Sequence, residues 1–142
     1  MADTHHIIAL ADSLSACADA LHARLMHAIR QPAPGGQAPA ISQGAAQALF
    51  ENEVTLRQRA NGLYLDAARL AASGLDGAQQ QLLDVTARAR DSIARIERAK
   101  DLIDIAAELL SLGAAVATGK PERLVTPLEK LKHHLDALPP PA

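Results

Sequence analysis

Leu49, Leu56, Leu63 and Leu70 recur every seventh residue, and Leu82, Ala89, Ile96, Ile103 and Leu110 repeat the same spacing further along the chain. Apolar residues at this interval form a stripe along one side of an α-helix, the seam by which coiled helices pair. Folding the chain back at Gly74, Leu75, Asp76 and Gly77 sets Leu70 opposite Leu82, Leu63 opposite Ala89, Leu56 opposite Ile96 and Leu49 opposite Ile103. The pattern therefore predicts an antiparallel helical hairpin closed by a continuous apolar seam.

A first helix precedes it. Ile7, Ala11, Leu14, Ala18, Leu21, Leu25 and Ala28 alternate at four and three residues, with Leu10 and Cys17 widening the stripe, so 4–30 reads as an amphipathic helix. Pro32, Pro34, Gly35, Gly36 and Pro39 break the pattern and make 31–41 a linker. Ser42 is placed to cap a second helix that Gly74 ends. Gly62 lies inside that helix, where a glycine suits a close approach between helices. Asp76 and Gln79 have capping-box spacing for a third helix, which runs from about 77 to 118 without glycine or proline until Gly113. Its far end overhangs the second helix. Leu109, Leu110, Leu112 and Ala114 to Ala117 are apolar nearly all round and need cover. Gly119 and Pro121 stop the third helix, and Thr126, Pro127 and Glu129 start a fourth with the stripe Leu128, Leu131, Leu135 and Leu138, which supplies that cover. The prolines at 139–141 leave a frayed tail at 139–142.

The expected fold class is therefore all-α: an antiparallel bundle of three long helices and a short fourth C-terminal helix, in a single domain over 1–142. Composition sharpens this. Hydrophobic residues make up 49% of the chain and aromatics 1%, so the core is built from aliphatic side chains and alanine. With no Trp, and only Tyr64 and Phe50 as aromatic residues, there is no stacking platform for bases. A net charge of -2 gives no overall attraction to phosphate, and nucleic acid is not expected as a partner. One cysteine, Cys17, rules out an intrachain disulfide, and the opening residues lack a basic stretch followed by an uninterrupted apolar run. A cytoplasmic location is expected, although a leaderless secreted chain would share these features.

Candidate chemistry is sparse. The histidines fall at 5, 6, 22, 27, 133 and 134, and no pair has the four-residue spacing that points two imidazoles at one metal. Glu97, Asp101, Asp104 and Glu108 are read as solvated acids, with Lys100 or Arg123 as alternative partners for Asp104 and Glu108, since the Glu-x-x-His pattern of bundle metal sites is missing. Between Gly113 and Gly119 stand five residues where a phosphate-binding loop has four, and Pro121 occupies the place of its Ser or Thr. Cys17 lies on an apolar stripe with no base one turn away. Asp84 with Arg88, Asp91 with Arg95 and Glu53 with Arg57 have the acid-first order of exposed helical ion pairs.

No catalytic residue, cofactor or metal site is expected. The reading is a non-catalytic interaction or assembly protein that presents a rigid helical surface, with a homodimer or another helical protein as partner. Phe50, Val54 and Tyr64 beside the leucine row, together with Leu109, Leu112 and Val116, are the candidate contact residues. Two alternatives stand behind it: a membrane- or lipid-associated protein using the apolar segment 102–118, and a bundle metal protein.

Overall fold

The computed structural model describes residues 4–31, 41–72 and 75–138, with only the backbone described at 76 and 77. Most of the expected linker, Ser73 at the expected end of the second helix, Gly74 of the expected turn and the expected frayed tail lie outside the described residues, as does the side chain of Asp76. All regular structure among the described residues is helical: α1 (Thr4–Arg30), α2 (Gln43–Leu65), α3 (Ala67–Ala71), α4 (Gln79–Ile93), α5 (Ala99–Ala117) and α6 (Val125–Ala137), with 3-10 turns at Leu75–Ala78 and Pro121–Arg123.

α1 follows its stripe. Ile7, Leu10, Ala11, Leu14, Cys17, Ala18, Leu21 and Leu25 are buried, and Ala28 is half-buried. Ser42 caps α2 as its position suggests, its hydroxyl accepting the Ala45 N–H at 3.1 Å. The second helix is interrupted at Asp66, however, so its last turn is the separate α3. Gly62 lines no close approach: a Cβ there would meet nothing within 4 Å. That role belongs to Gly113, whose added Cβ would lie 3.5 Å from Cβ of Arg59 and 3.8 Å from Leu14 Cδ1. The expected capping box is also displaced. Asp76 sits inside the 3-10 turn, and Ala78, which offers no side-chain cap, precedes α4. α6 begins at Val125, ahead of the expected Thr126 cap, with Pro127 third in the helix, where no intrahelical N–H bond is required.

The largest departure is the third helix, which ends at Ile93 and resumes at Ala99. No glycine or proline causes this. At 100° per residue, a straight helix would carry the apolar face of α4 (Leu82, Val85, Ala89, Ile93) on roughly the opposite side from that of α5 (Leu102, Ile105, Leu109, Leu112, Val116). One straight helix cannot bury both faces against one bundle; breaking at 94–98 lets each turn inward. The seven-residue row hides this: Leu82, Ala89 and Ile96 are buried, whereas Ile103 and Leu110 are only half-buried.

The packing order changes with the break. α1 lies between α2 and α4 and packs on both, while α5 packs on α2 and α6, and α6 also reaches α4. The leucine row of α2 is thus buried chiefly against α1 and α5, and the expected direct seam with Leu82 and Ala89 is replaced by contacts through α1. α1 accommodates both neighbours because its stripe is wide. Residue order gives the directions. Asp12 meets Tyr64 and His22 meets Glu53, so α1 and α2 run antiparallel. Ser13 meets Thr86 and Arg24 meets Ile96, so α4 runs in the same direction as α1, and α6 packs on α5 with Glu108 facing His134. Buried side chains from all six helices form one contiguous apolar cluster.

A short polar chain crosses the α1–α4 contact. Thr86 Oγ1 donates to the Leu82 carbonyl at 2.8 Å and accepts from Ser13 Oγ at 2.6 Å, while the Cys17 thiol donates to the Thr86 carbonyl at 3.3 Å. Each buried polar group in it is satisfied, which fixes the sliding register of two otherwise apolar helices.

Candidate functional site

α2 carries apolar side chains on its outer face as well as its core face. Leu49, Leu56, Ala60 and Leu63 point inward, whereas Phe50, Val54, Asn61 and Leu65 follow a four, seven, four spacing that places them on one solvent-facing side. Leu65 is 86% exposed and Val54 53%. Tyr64 flanks the stripe, and Ile8, also exposed, stands on α1 one turn from Asp12, the partner of Tyr64. From Phe50 to Leu65 the stripe extends roughly 22 Å along the helix axis.

Polar groups border it along the α1–α2 junction. Glu53, its side chain 10% exposed, accepts from His22 Nδ1 at 2.9 Å and from Arg57 Nη2 at 3.0 Å. Arg57 reaches on to Asp19 at 2.7 Å, and this hydrogen bond, more than the one to Glu53, pushes its guanidinium above the ordinary arginine value. His22 meets Phe50 edge to face, ring centres 6.4 Å apart. The Tyr64 hydroxyl donates to Asp12, and that bond raises its pKa, since ionisation would place phenolate beside carboxylate. Phe50, Val54 and Leu65 are thus exposed apolar residues on one face, interrupted by the exposed Gln58 and Asn61 and bordered on the α1 side by hydrogen-bonded polar groups.

The six contact residues read from the sequence divide here. Phe50, Val54 and Tyr64 are on the outer face, but Leu109, Leu112 and Val116 are core, enclosed where α5 packs on α2 and α6. The overhang that made them candidates does not exist, because the break brings α5 back along α2. Leu65 and Ile8 replace them. Leu65 was legible by elimination: it stands 200° around the helix from Leu63, and both cannot face one core.

Other candidate chemistry is dispersed. Among the described residues no group of three or more His, Cys, Asp and Glu is gathered as a metal site. Asp104 lies 4.0 Å from Lys100, and Glu108 faces His134 at 3.7 Å across α5 and α6. Arg88 bypasses Asp84 and binds Asp136 of α6 at 2.5 Å; Asp84 accepts from Gln80 at 2.8 Å, and Asp91 pairs with Arg90 at 3.4 Å rather than with Arg95. Of the three acid-first helical pairs, Glu53 with Arg57 forms as expected. Burial pushes the Cys17 thiol up to about 12, so it is not a nucleophile at neutral pH. An open cleft of about 400 Å³ separates α5 from α6, bordered by Glu108, Ser111, Thr118, Arg123 and Lys130. No helix among the described residues is long and apolar enough to cross a membrane. No family model, curated protein or solved structure matches the chain.

Proposed function

We propose that this chain is a non-catalytic assembly protein, an antiparallel helical bundle that associates with a second copy of itself through the outer face of α2. The observation that carries the reading is the exposed strip of Phe50, Val54 and Leu65 on a helix whose opposite face already fills the core. Removing such a strip from water is the main driving force for association. Phe50, Tyr64 and Arg57 are residue types that contribute most per side chain at protein contacts. Their positions on a helix held by α1 and α5 make the surface rigid, so little ordering entropy opposes binding. A face repeated on an identical chain meets its own complement across a twofold axis.

The test is a double substitution, Val54→Glu with Leu65→Glu, followed by light scattering on eluting protein. The wild type is expected at about twice the 14.9 kDa chain mass and the variant at the single-chain mass with unchanged helicity. A wild type that stays single, or a variant that still doubles, overturns the assignment of this face.

A further inference from the structure

We infer that this chain can exchange its α5–α6 pair with a second copy, by straightening residues 94–98 so that α4 and α5 become one helix. The proposal is independent of the outer face of α2. Ala94, Arg95, Ile96, Glu97 and Arg98 include neither glycine nor proline, and each is compatible with a helix interior. The break has no side-chain cap on the backbone at either end: Ala94 is still in the right-handed helical region, and the Arg98 side chain bonds to Asp101 Oδ2 in the first turn of α5 at 2.8 Å, an i,i+3 contact that a continuous helix can also hold. Backbone bonds from Arg95 N to Ser92 O and Ile96 N to Ile93 O continue the turn before the chain leaves it, with Arg98 at φ -88° and ψ 129°. What holds the bend lies elsewhere. Arg24 Nε donates to the Ile96 carbonyl and Ile96 is buried, but this latch leaves Arg24 Nη1 buried with no hydrogen-bond partner.

The opposed faces of the two segments give the exchange its geometry. In a straight helix over 79–117, about 58 Å long, the α4 face would remain on its own α1 while the α5 face pointed away from that bundle. A lone chain in this form would expose the α5 face and uncover α2. Two such chains cover each other's, reproducing the same contacts between chains: Gly113 beside Arg59, Arg69 to the Ala117 carbonyl, and Arg88 to Asp136. Because α4 and α5 touch little while α5 and α6 pack on one another, these two can transfer as a unit.

The test places cysteines at positions 59 and 113 (Arg59→Cys, Gly113→Cys) with Cys17→Ala, since the 3.5 Å between the Cβ positions is within disulfide range. Protein refolded at high concentration is separated by size, and the dimer is oxidised and run under denaturing, non-reducing conditions. Exchange is expected to give covalent dimers, whereas a side-by-side dimer through α2 gives single chains each closed on itself. Arg98→Pro, tolerable at the present bend but not inside a continuous helix, is expected to lower the association constant by at least a factor on the order of a hundred. Arg24→Met is expected to raise the dimer fraction. Single-chain bands from the oxidised dimer, or no dimer at any concentration, overturn the exchange; the first result leaves the α2 face standing.

Discussion

Leu109 and Leu110 are neighbours of identical chemistry that the bend at 94–98 assigns to different environments. Leu109 is fully enclosed, while Leu110 is half-buried, and they point about 100° apart on α5. Leu109→Ala removes three enclosed carbons and leaves a cavity between α5, α2 and α6, at a cost of about 3–5 kcal/mol. That is a large part of the 5–15 kcal/mol typical of a domain. Leu110→Ala gives up partly wetted area and leaves no closed void, at roughly 1 kcal/mol. With a urea dependence near 2 kcal/mol per molar, the unfolding midpoint falls by about 1.5–2.5 M for Leu109→Ala and about 0.5 M for Leu110→Ala. Urea titration followed by far-ultraviolet circular dichroism reads both. A seven-residue row continuing through a straight third helix puts Leu110 inward instead, so a loss at Leu110 equal to or above that at Leu109 refutes the bend.

Gly62→Ala, whose added methyl meets open space in α2, is expected to stabilise the protein by up to about 1 kcal/mol, seen as a higher thermal midpoint. Cys17 is neutral when folded because burial raises its pKa from 9.0 to about 12. Folded-state pKa above the unfolded one means that the stability is present below pH 9 and lost as pH rises towards 12. The wild type therefore loses stability relative to Cys17→Ala across that window in parallel denaturation series, and a constant difference contradicts it. Tyr64 is expected to ionise above the ordinary phenol value in ultraviolet titration, and Asp12→Asn to return it towards that value. Tyr64→Phe removes a partly solvated bond and costs at most about 1 kcal/mol in the same urea assay.

Local rules were legible in the sequence wherever one face and one cap decided the outcome. The stripe from Ile7 to Leu25 gave α1 at its observed bounds, and Ser42 gave the start of α2. The bend was not legible from breakers, because none is present; it follows from comparing apolar phase before and after Ile96. A seven-residue row is a weak guide over such a length, since it drifts about 20° per repeat on a straight helix. Without the bend, a straight helix overhangs, which leaves Leu109, Leu112 and Val116 to be covered by the fourth helix or a partner; they lie in the core where α5 packs on α2 and α6. Gly62 and Gly113 show the same limit: both sit within helices, and only the position of neighbouring helices tells which one permits close approach.

The proposed burial of the outer face of α2 in a dimer is testable with one reporter, because the chain contains no tryptophan. Leu65→Trp places an indole at the most exposed apolar position of that strip. Its emission is predicted to move to shorter wavelength as protein concentration rises, over the same range in which mass doubles. An indole that stays water-like at every concentration, whether or not the mass changes, contradicts assembly through this face.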